Sequence, residues 1–194
     1  MSSRVARYVR ETRETRVEVE LNIDEKGEVR VETPIRFLNH MLATMLYHMN
    51  STSTVIAEDR QGYDDHHVVE DVAIALGEAF REALGDKRGI RRFANAIVPM
   101  DDALVLVAVD ISGRGVSNVE LRLRRSEIGG LAAENIPHFL QAFSYHSGVN
   151  LHVIQLRGSN THHILEAAFK ALGISLYEAS RVVSKDVPSL KGVL

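Results

Sequence analysis

Cysteine and tryptophan are absent from this 194-residue chain, and only four prolines interrupt it. Without thiols there is no disulfide framework, no thiolate zinc site and no cysteine nucleophile. Neither sign of charge dominates: the formal net charge is −3, which gives no reason to expect a nucleic-acid or anionic-membrane binder. No apolar run approaches the roughly 18 residues that span a bilayer, and no signal-peptide-like segment opens the chain. A soluble, cytoplasmic protein is the expectation. Apolar residues make up 45% and charged residues 25%, enough for a sizeable core. What is plentiful is histidine, nine residues against no cysteine.

Alternating apolar positions Val17, Val19, Leu21 and Ile23 predict a strand with one buried face. Asp24 to Gly27 reads as a hairpin turn, with Glu28 to Thr33 as the returning strand. Phe37, Leu38, Met41, Leu42, Met45 and Leu46 fall at helical spacing, and Thr52 to Glu58 has the β-branched look of a strand. Asp64 and Asp65 precede a long amphipathic pattern from Val69 to Ala83, ended by Gly85. The order then recurs. Leu104 to Ile111 and Val116 to Leu123 read as strands joined at Gly113-Arg114-Gly115. A helix around Phe139, a strand from Asn150 to Leu156 and a helix from His162 to about Val182 follow. The chain is read as ββαβα twice, residues 1–92 and 93–194, in one compact domain of the α+β class.

The repeat is visible in the residues themselves. His66-His67-Val68-Val69-Glu70 aligns with His162-His163-Ile164-Leu165-Glu166. Ala75-Leu76-Gly77 then falls on Ala171-Leu172-Gly173. Each half has one earlier histidine on its shorter helix, His40 and His138. Histidine and glutamate four apart share one helix face and can hold one cation together. The neighbouring His67 and His163 are rotated by about 100°, so each vicinal pair aims at two places. That suits two metal ions, or one ion in the chain and one shared with a neighbour. Imidazole and carboxylate without thiolate favour Mn²⁺, Fe²⁺ or Zn²⁺. Of the others, His48 lies two turns beyond His40 and could reach the same cavity, His152 reads as a core histidine, and His146 as a bystander near a helix end.

These pieces, with several more, resemble the imidazoleglycerol-phosphate dehydratase family. The similarity runs through Arg10-Glu11-Thr12-Arg13-Glu14-Thr15, Phe37-Leu38-Asn39-His40-Met41-Leu42, Asp64 to Asp71, Ile111-Ser112-Gly113-Arg114, His162 to Glu166 and Pro188-Ser189-Leu190-Lys191-Gly192. It implies left-handed βαβ units and a four-helix bundle between two four-stranded sheets, a fold shared with a ribosomal-protein domain. It also implies two Mn²⁺ per active site, held by His40, His66, His67, Glu70, His138, His162, His163 and Glu166. Family members form shells of two dozen chains with active sites between subunits. The implied reaction is loss of water from imidazole glycerol phosphate to give imidazole acetol phosphate in L-histidine biosynthesis.

The chemistry accounts for the residue types. The proton to be lost has no carbonyl beside it, so simple base removal is hard. A metal-held imidazolate can instead push out the hydroxyl through a diazafulvene-like intermediate. By resemblance Glu14, with His48 close by, moves protons on the carbon skeleton. Arg92, Arg114, Lys170, Ser189 and Lys191 match phosphate-contacting positions, with the C-terminal tail folding over the ligand. Asn39 stands where the family has Asp, and Ala43-Thr44 where it has Asp-Gln. These departures bear on imidazole orientation and on contacts to the substrate hydroxyls. The length leaves no room for the phosphatase domain fused to this enzyme in some bacteria, so a monofunctional protein is expected. Two other readings of the histidines stay open: a dinuclear metallohydrolase, and a metal-holding shell without catalysis. The first would need no azole in its substrate, and the second would have no use for Glu14 or the arginines.

Overall fold

The computed structural model describes residues 4–192 and 194. The first half runs β1 (Val5–Glu11), β2 (Thr15–Asn22), β3 (Val29–Glu32), α1 (Arg36–His48), β4 (Thr52–Asp59) and α2 (His66–Leu84). The second runs β5 (Phe93–Met100), β6 (Ala103–Ile111), β7 (Ser117–Glu120), a small pair β8 (Glu127–Ile128) and β9 (Leu131–Ala132), α3 (Asn135–Ser147), β10 (Val149–Arg157) and α4 (Thr161–Ser180). Two four-stranded sheets result, ordered β1-β2-β4-β3 and β5-β6-β10-β7. The period-two pattern decides which face is buried. Val17, Val19, Leu21 and Val55 line the core in the first sheet, and Val105, Val107, Leu151 and Val153 in the second.

The four helices lie between the sheets. α2 packs on β1 and β2, α4 on β5 and β6, and the two helix layers meet as α2 on α3 and α1 on α4. Helices covered on both sides are apolar well beyond a single stripe, and α2 and α4 each bury thirteen residues. Phe80 against Phe143 and Phe139 against Phe169 fill the middle of one continuous core.

The strand connections differ from the hairpins read off the sequence. Both edges of β2 are occupied, by β1 and β4, each antiparallel. β3 therefore takes the far side of β4, parallel to it, with α1 as the crossover. β7 likewise pairs parallel to β10 and not to β6. Each half also begins with an edge strand that ββαβα omits, β1 or β5. Their outward positions carry Val5, Val9, Phe93 and Ile97, which blurs the alternation. Each half is thus βββαβα, with β8 and β9 inserted in the second.

Two glycines allow the helix layers to touch. A β-carbon on Gly173 would run into the carbonyl oxygen of Met45, and one on Gly77 would lie 2.9 Å from His146 Cβ. Alanine gains about 1 kcal/mol over glycine in helix propensity, yet Gly173→Ala is expected to destabilise by about 1–3 kcal/mol through overpacking. Gly77→Ala should cost less, since the atoms its β-carbon would meet stand farther off, at 2.9–3.0 Å, than the Met45 carbonyl oxygen does at Gly173. Denaturant midpoints of the two variants check both sign and order. A Gly173→Ala protein as stable as its parent would mean that α1 and α4 do not touch there.

Candidate active site

The predicted ligands gather at the N-terminal ends of the helices, in two groups. His66 and Glu70 of α2 join His138 of α3, and His162 and Glu166 of α4 join His40 of α1, with the ligand atoms of each group within 4.8 Å of one another. Each group draws on both halves of the repeat. In the first, the His66 and His138 rings stack 4.7 Å apart. Glu70 Oε1 lies 3.4 Å from His138 Nε2, and Glu70 Oε2 3.9 Å from His66 Nε2. His138 Nε2 is buried and has no hydrogen-bond partner among the described residues, because the nearby Glu70 oxygen is not aligned to accept from it. A buried imidazole nitrogen aimed at another imidazole and a carboxylate is the arrangement a bound cation satisfies. The residues fit a divalent metal.

In the second group Glu166 Oε2 faces both His162 Nε2, at 3.2 Å, and His40 Nε2, at 3.9 Å. Its other oxygen accepts from Lys170 Nζ at 2.8 Å. Burial alone would raise the Glu166 carboxyl, but Lys170 and then the two imidazoles hold it below its ordinary value. Lys170 thus sits on a candidate ligand and not with the other residues matched to phosphate contacts.

The vicinal histidines turn away, with ring planes 86° and 79° from those of their neighbours. His67 Nδ1 lies 3.0 Å from Glu14 Oε2, and His163 Nδ1 2.7 Å from Asp102 Oδ1. A carboxylate behind an imidazole fixes its orientation and leaves Nε2 as the outward atom. His163 Nε2 meets Asp101 at 3.3 Å. Glu14 and Asp102 occupy matching places, each one residue before the second strand of its half. Asp102 also accepts from the Ser159 and Asn160 backbone N–H groups, which with His163 push its carboxyl far below the ordinary range. The Glu14 turn is anchored from below. Asp71 of α2, 6% exposed, accepts from Arg10 Nε at 2.6 Å and from the Thr15 hydroxyl, so β1 and β2 are both tied to the helix that carries His66 and His67.

Asn135, not read from the sequence, and Asp65, read only as an acidic residue at the start of a helix, support this end of the molecule. Asn135 Oδ1 lies 3.1 Å from His66 Nδ1, and Asp65 Oδ2 accepts from Ala132 N. Asn135 was detectable in principle, being one helical turn before His138. Asn39 does not touch an imidazole: it accepts from Thr33 N and Oγ1 and donates to Thr33 O, pinning the loop before α1. An aspartate could not make that last bond. The Thr44 hydroxyl donates to His40 O within its own helix.

His48 and Glu14 are not neighbours within the chain, since Glu14 lies beside the Asp59 end of β4 and His48 precedes its Thr52 end. His48 faces Lys170 instead. His146, its repeat counterpart, holds Glu78 through Nδ1 at 2.8 Å. His152 is exposed on the outer face of the second sheet and is not a core residue, because it alternates with buried Leu151 and Val153.

Arg92, Arg114, Ser189 and Lys191 do come together, around an open cavity of about 1000 Å³ with Phe93, Ser112 and Leu190. Arg92 has φ +73°, and its guanidinium donates to both Asp110 oxygens and to Pro188 O, fastening the tail to β6. This cavity is remote from the ligands. Arg92 N donates to Ala179 O, and the run from His162 to Ala179 measures about 26 Å at 1.5 Å per residue. From His138 to Gly148, whose carbonyl accepts from Gly113 beside Arg114, it is about 15 Å.

Comparison with known proteins gives a consistent picture. The sequence pattern of the imidazoleglycerol-phosphate dehydratase family matches residues 33–176. The chain is 70% identical to imidazoleglycerol-phosphate dehydratase of Sulfurisphaera tokodaii over 194 residues, 100% of both chains. It is also 70% identical to that of Sulfolobus acidocaldarius over 192 residues, 99% of this chain and 100% of that one. Among solved structures, IGPD from Pyrococcus furiosus in complex with (S)-C348 superimposes with a TM-score of 0.84 at 39% identity, covering 96% of this chain and 99% of that one.

The His48 environment has a consequence for stability. Burial first, then Lys170 and Lys26, lower its pKa below the ordinary 6.5, with Glu166 opposing. As pH falls, the unfolded chain takes up this proton before the folded one. The stability contributed by neutral His48 is complete above 6.5 and declines as pH drops through the window beneath it. In chelator-treated protein, His48→Gln should lose less stability than wild type between about pH 8 and about pH 5, read as denaturant midpoints. Equal losses would show that His48 does not carry this dependence.

Proposed function

Because this chain belongs to the imidazoleglycerol-phosphate dehydratase family, and is therefore a hydro-lyase of histidine biosynthesis, we propose that it works in the cytoplasm as a two-metal enzyme. Manganese is the expected cation, with Fe²⁺ or Zn²⁺ as substitutes. When bound, the two cations supply Lewis-acid polarisation and a template for the substrate's imidazole. The observation that carries this reading is the pair of repeat-related ligand groups with an unpartnered, buried His138 nitrogen. His66, Glu70 and His138 hold one cation, and His40, His162 and Glu166 the other. His67 and His163 face out of both groups, which supports their serving as ligands to sites of adjoining chains.

The separation between ligands and phosphate cavity argues for the same sharing. Ring and phosphate of imidazole glycerol phosphate are joined by a three-carbon chain, far shorter than the about 15 Å from His138 to Gly148 along α3. This separation, with the about 26 Å along α4 from His162 to the strand of Arg92, supports a site in which the cavity of Arg92, Arg114, Ser189 and Lys191 serves ligands contributed by another chain. The outer sheet faces favour association. On the second sheet Phe93 and Ile97 are 55% and 54% exposed, and the first sheet sets exposed Val5 and Val9 beside Arg7–Glu18 and Arg30–Glu32 ion pairs. A large closed homo-oligomer follows.

Within a shared site, Glu14 moves a proton at the carbon skeleton and His67 holds its carboxylate in place. The cationic cavity binds and orients the phosphate. Asp102 is consumed by its N–H donors and keeps its charge, so it orients His163 and transfers no proton.

Two experiments test the proposal. With Mn²⁺ present, Glu14→Gln should lower formation of imidazole acetol phosphate by about 10²–10⁴-fold with metal content unchanged. A wild type that binds metal yet forms no product overturns the reading. Chelation should shrink the particle in sedimentation. An unchanged sedimentation coefficient after verified metal removal overturns the bridging role of His67 and His163.

A further inference from the structure

The two ligand groups are related by the internal repeat, and each offers two imidazoles and one glutamate. Their surroundings are not equivalent. Glu70 turns both oxygens inward, Oε1 toward His138 and Oε2 toward His66. Glu166 turns only Oε2 toward His162 and His40, because Oε1 is held by the Lys170 ammonium at 2.8 Å. Four positions after Glu70, where the repeat places Lys170, stands Ile74.

The imidazoles differ as well. Asn135 Oδ1 faces His66 Nδ1 at 3.1 Å. With the amide oxygen accepting, the proton stays on Nδ1 and the Nε2 lone pair faces Glu70. The matching residue before His40 is Phe37, which presents an aromatic edge to His162 at 5.3 Å between ring centroids. The His138 side chain is 32% exposed and the His40 side chain 46%, and among the described residues only His138 has a buried Nε2 without a hydrogen-bond partner.

The carboxylate and the tautomer differences act in one direction. A carboxylate with both oxygens available can chelate, and a preset tautomer presents its lone pair without rearrangement. An ammonium on a ligand carboxylate competes for it and repels a second cation. Resting on the metal-binding reading above, we propose that the two sites are unequal in affinity. The His66–Glu70–His138 group is the tight site and the His40–His162–Glu166 group the weak one, with Lys170 and Asn135 setting the difference. At limiting metal the chain holds one cation, in the group on α2 and α3.

The test is a titration of the metal-stripped, full-length protein with Mn²⁺ alone, following free Mn²⁺ by electron paramagnetic resonance. Two classes of equal number are expected, separated by about 10- to 100-fold, the usual effect of groups behind a metal ligand. Lys170→Ile should tighten the weak class and leave the tight one unchanged, and Asn135→Leu should weaken the tight class. His66→Ala should remove the tight class and His162→Ala the weak one. A single class of equal sites that Lys170→Ile leaves unmoved overturns the inference while leaving two-metal binding intact, and so does loss of the weak class in His66→Ala. Failure of the wild type to bind any Mn²⁺ overturns the metal reading itself, and this inference with it.

Discussion

Where α4 passes α1, Gly173 lies against the Met45 carbonyl with no room for a side chain, and Gly77 repeats that approach between α2 and α3. These contacts set the separation of the helix layers, and with it the distance between ligands that belong to different halves. His40 meets Glu166, and His138 meets Glu70, only because the helices bearing them are held side by side. A half-domain alone would carry two ligands on a long helix and one on a short helix facing elsewhere. The glycines, bland in sequence, are therefore as necessary to the site as the histidines.

The repeat supplies two copies of the βββαβα unit and of the ligand motif, and the copies differ in what surrounds each matching residue. Glu14 and Asp102 stand at matching turns behind matching histidines. Asp102 carries two backbone N–H donors as well as His163, while Glu14 has His67 on an otherwise open carboxylate. His48 is partly buried and faces a lysine, which together lower its pKa, whereas His146 is held by the Glu78 carboxylate, so the two imidazoles have opposite neighbours in the two halves. Phe37 and Asn135, or Lys170 and Ile74, are further pairs in which one copy is polar and the other is not. An exact repeat would make two identical centres. A reaction with one ring, one leaving hydroxyl and one phosphate has no such symmetry to match.

What was readable in the sequence was local. The ligand motif, α2 and α4 depend on spacings of four residues or fewer, and helices obey those spacings whatever surrounds them. Strand pairing does not. Nothing near Gly27 tells that β2 already has neighbours on both sides, so a hairpin was the natural reading, although β3 belongs beyond β4. The exchange of His40 and His138 between halves is non-local in the same way. Asn39 illustrates a substitution whose partner, Thr33, becomes apparent only in the folded loop. His152 is different, because the alternation of Val149, Leu151 and Val153 already placed it on the outer face.

The separation of the candidate metal ligands from the cationic cavity has an architectural meaning. The ligands occupy helix N-terminal ends, where Asp64 and Asn160 side chains accept from the backbone N–H groups of His66 and His162. The cavity lies toward the other end of α4, where Arg92 and the tail meet. These two groups of residues sit toward opposite ends of α4, and the fold of one chain does not bring them together. In the proposed shared site a second copy brings the two ends together, either as a pair about a two-fold axis or through head-to-tail contacts that close into a ring or continue into a filament. Under the proposed sharing of sites, association of copies is the condition under which this chain holds its substrate at both ends, and folding of the monomer, however complete its core, builds only the parts of the site.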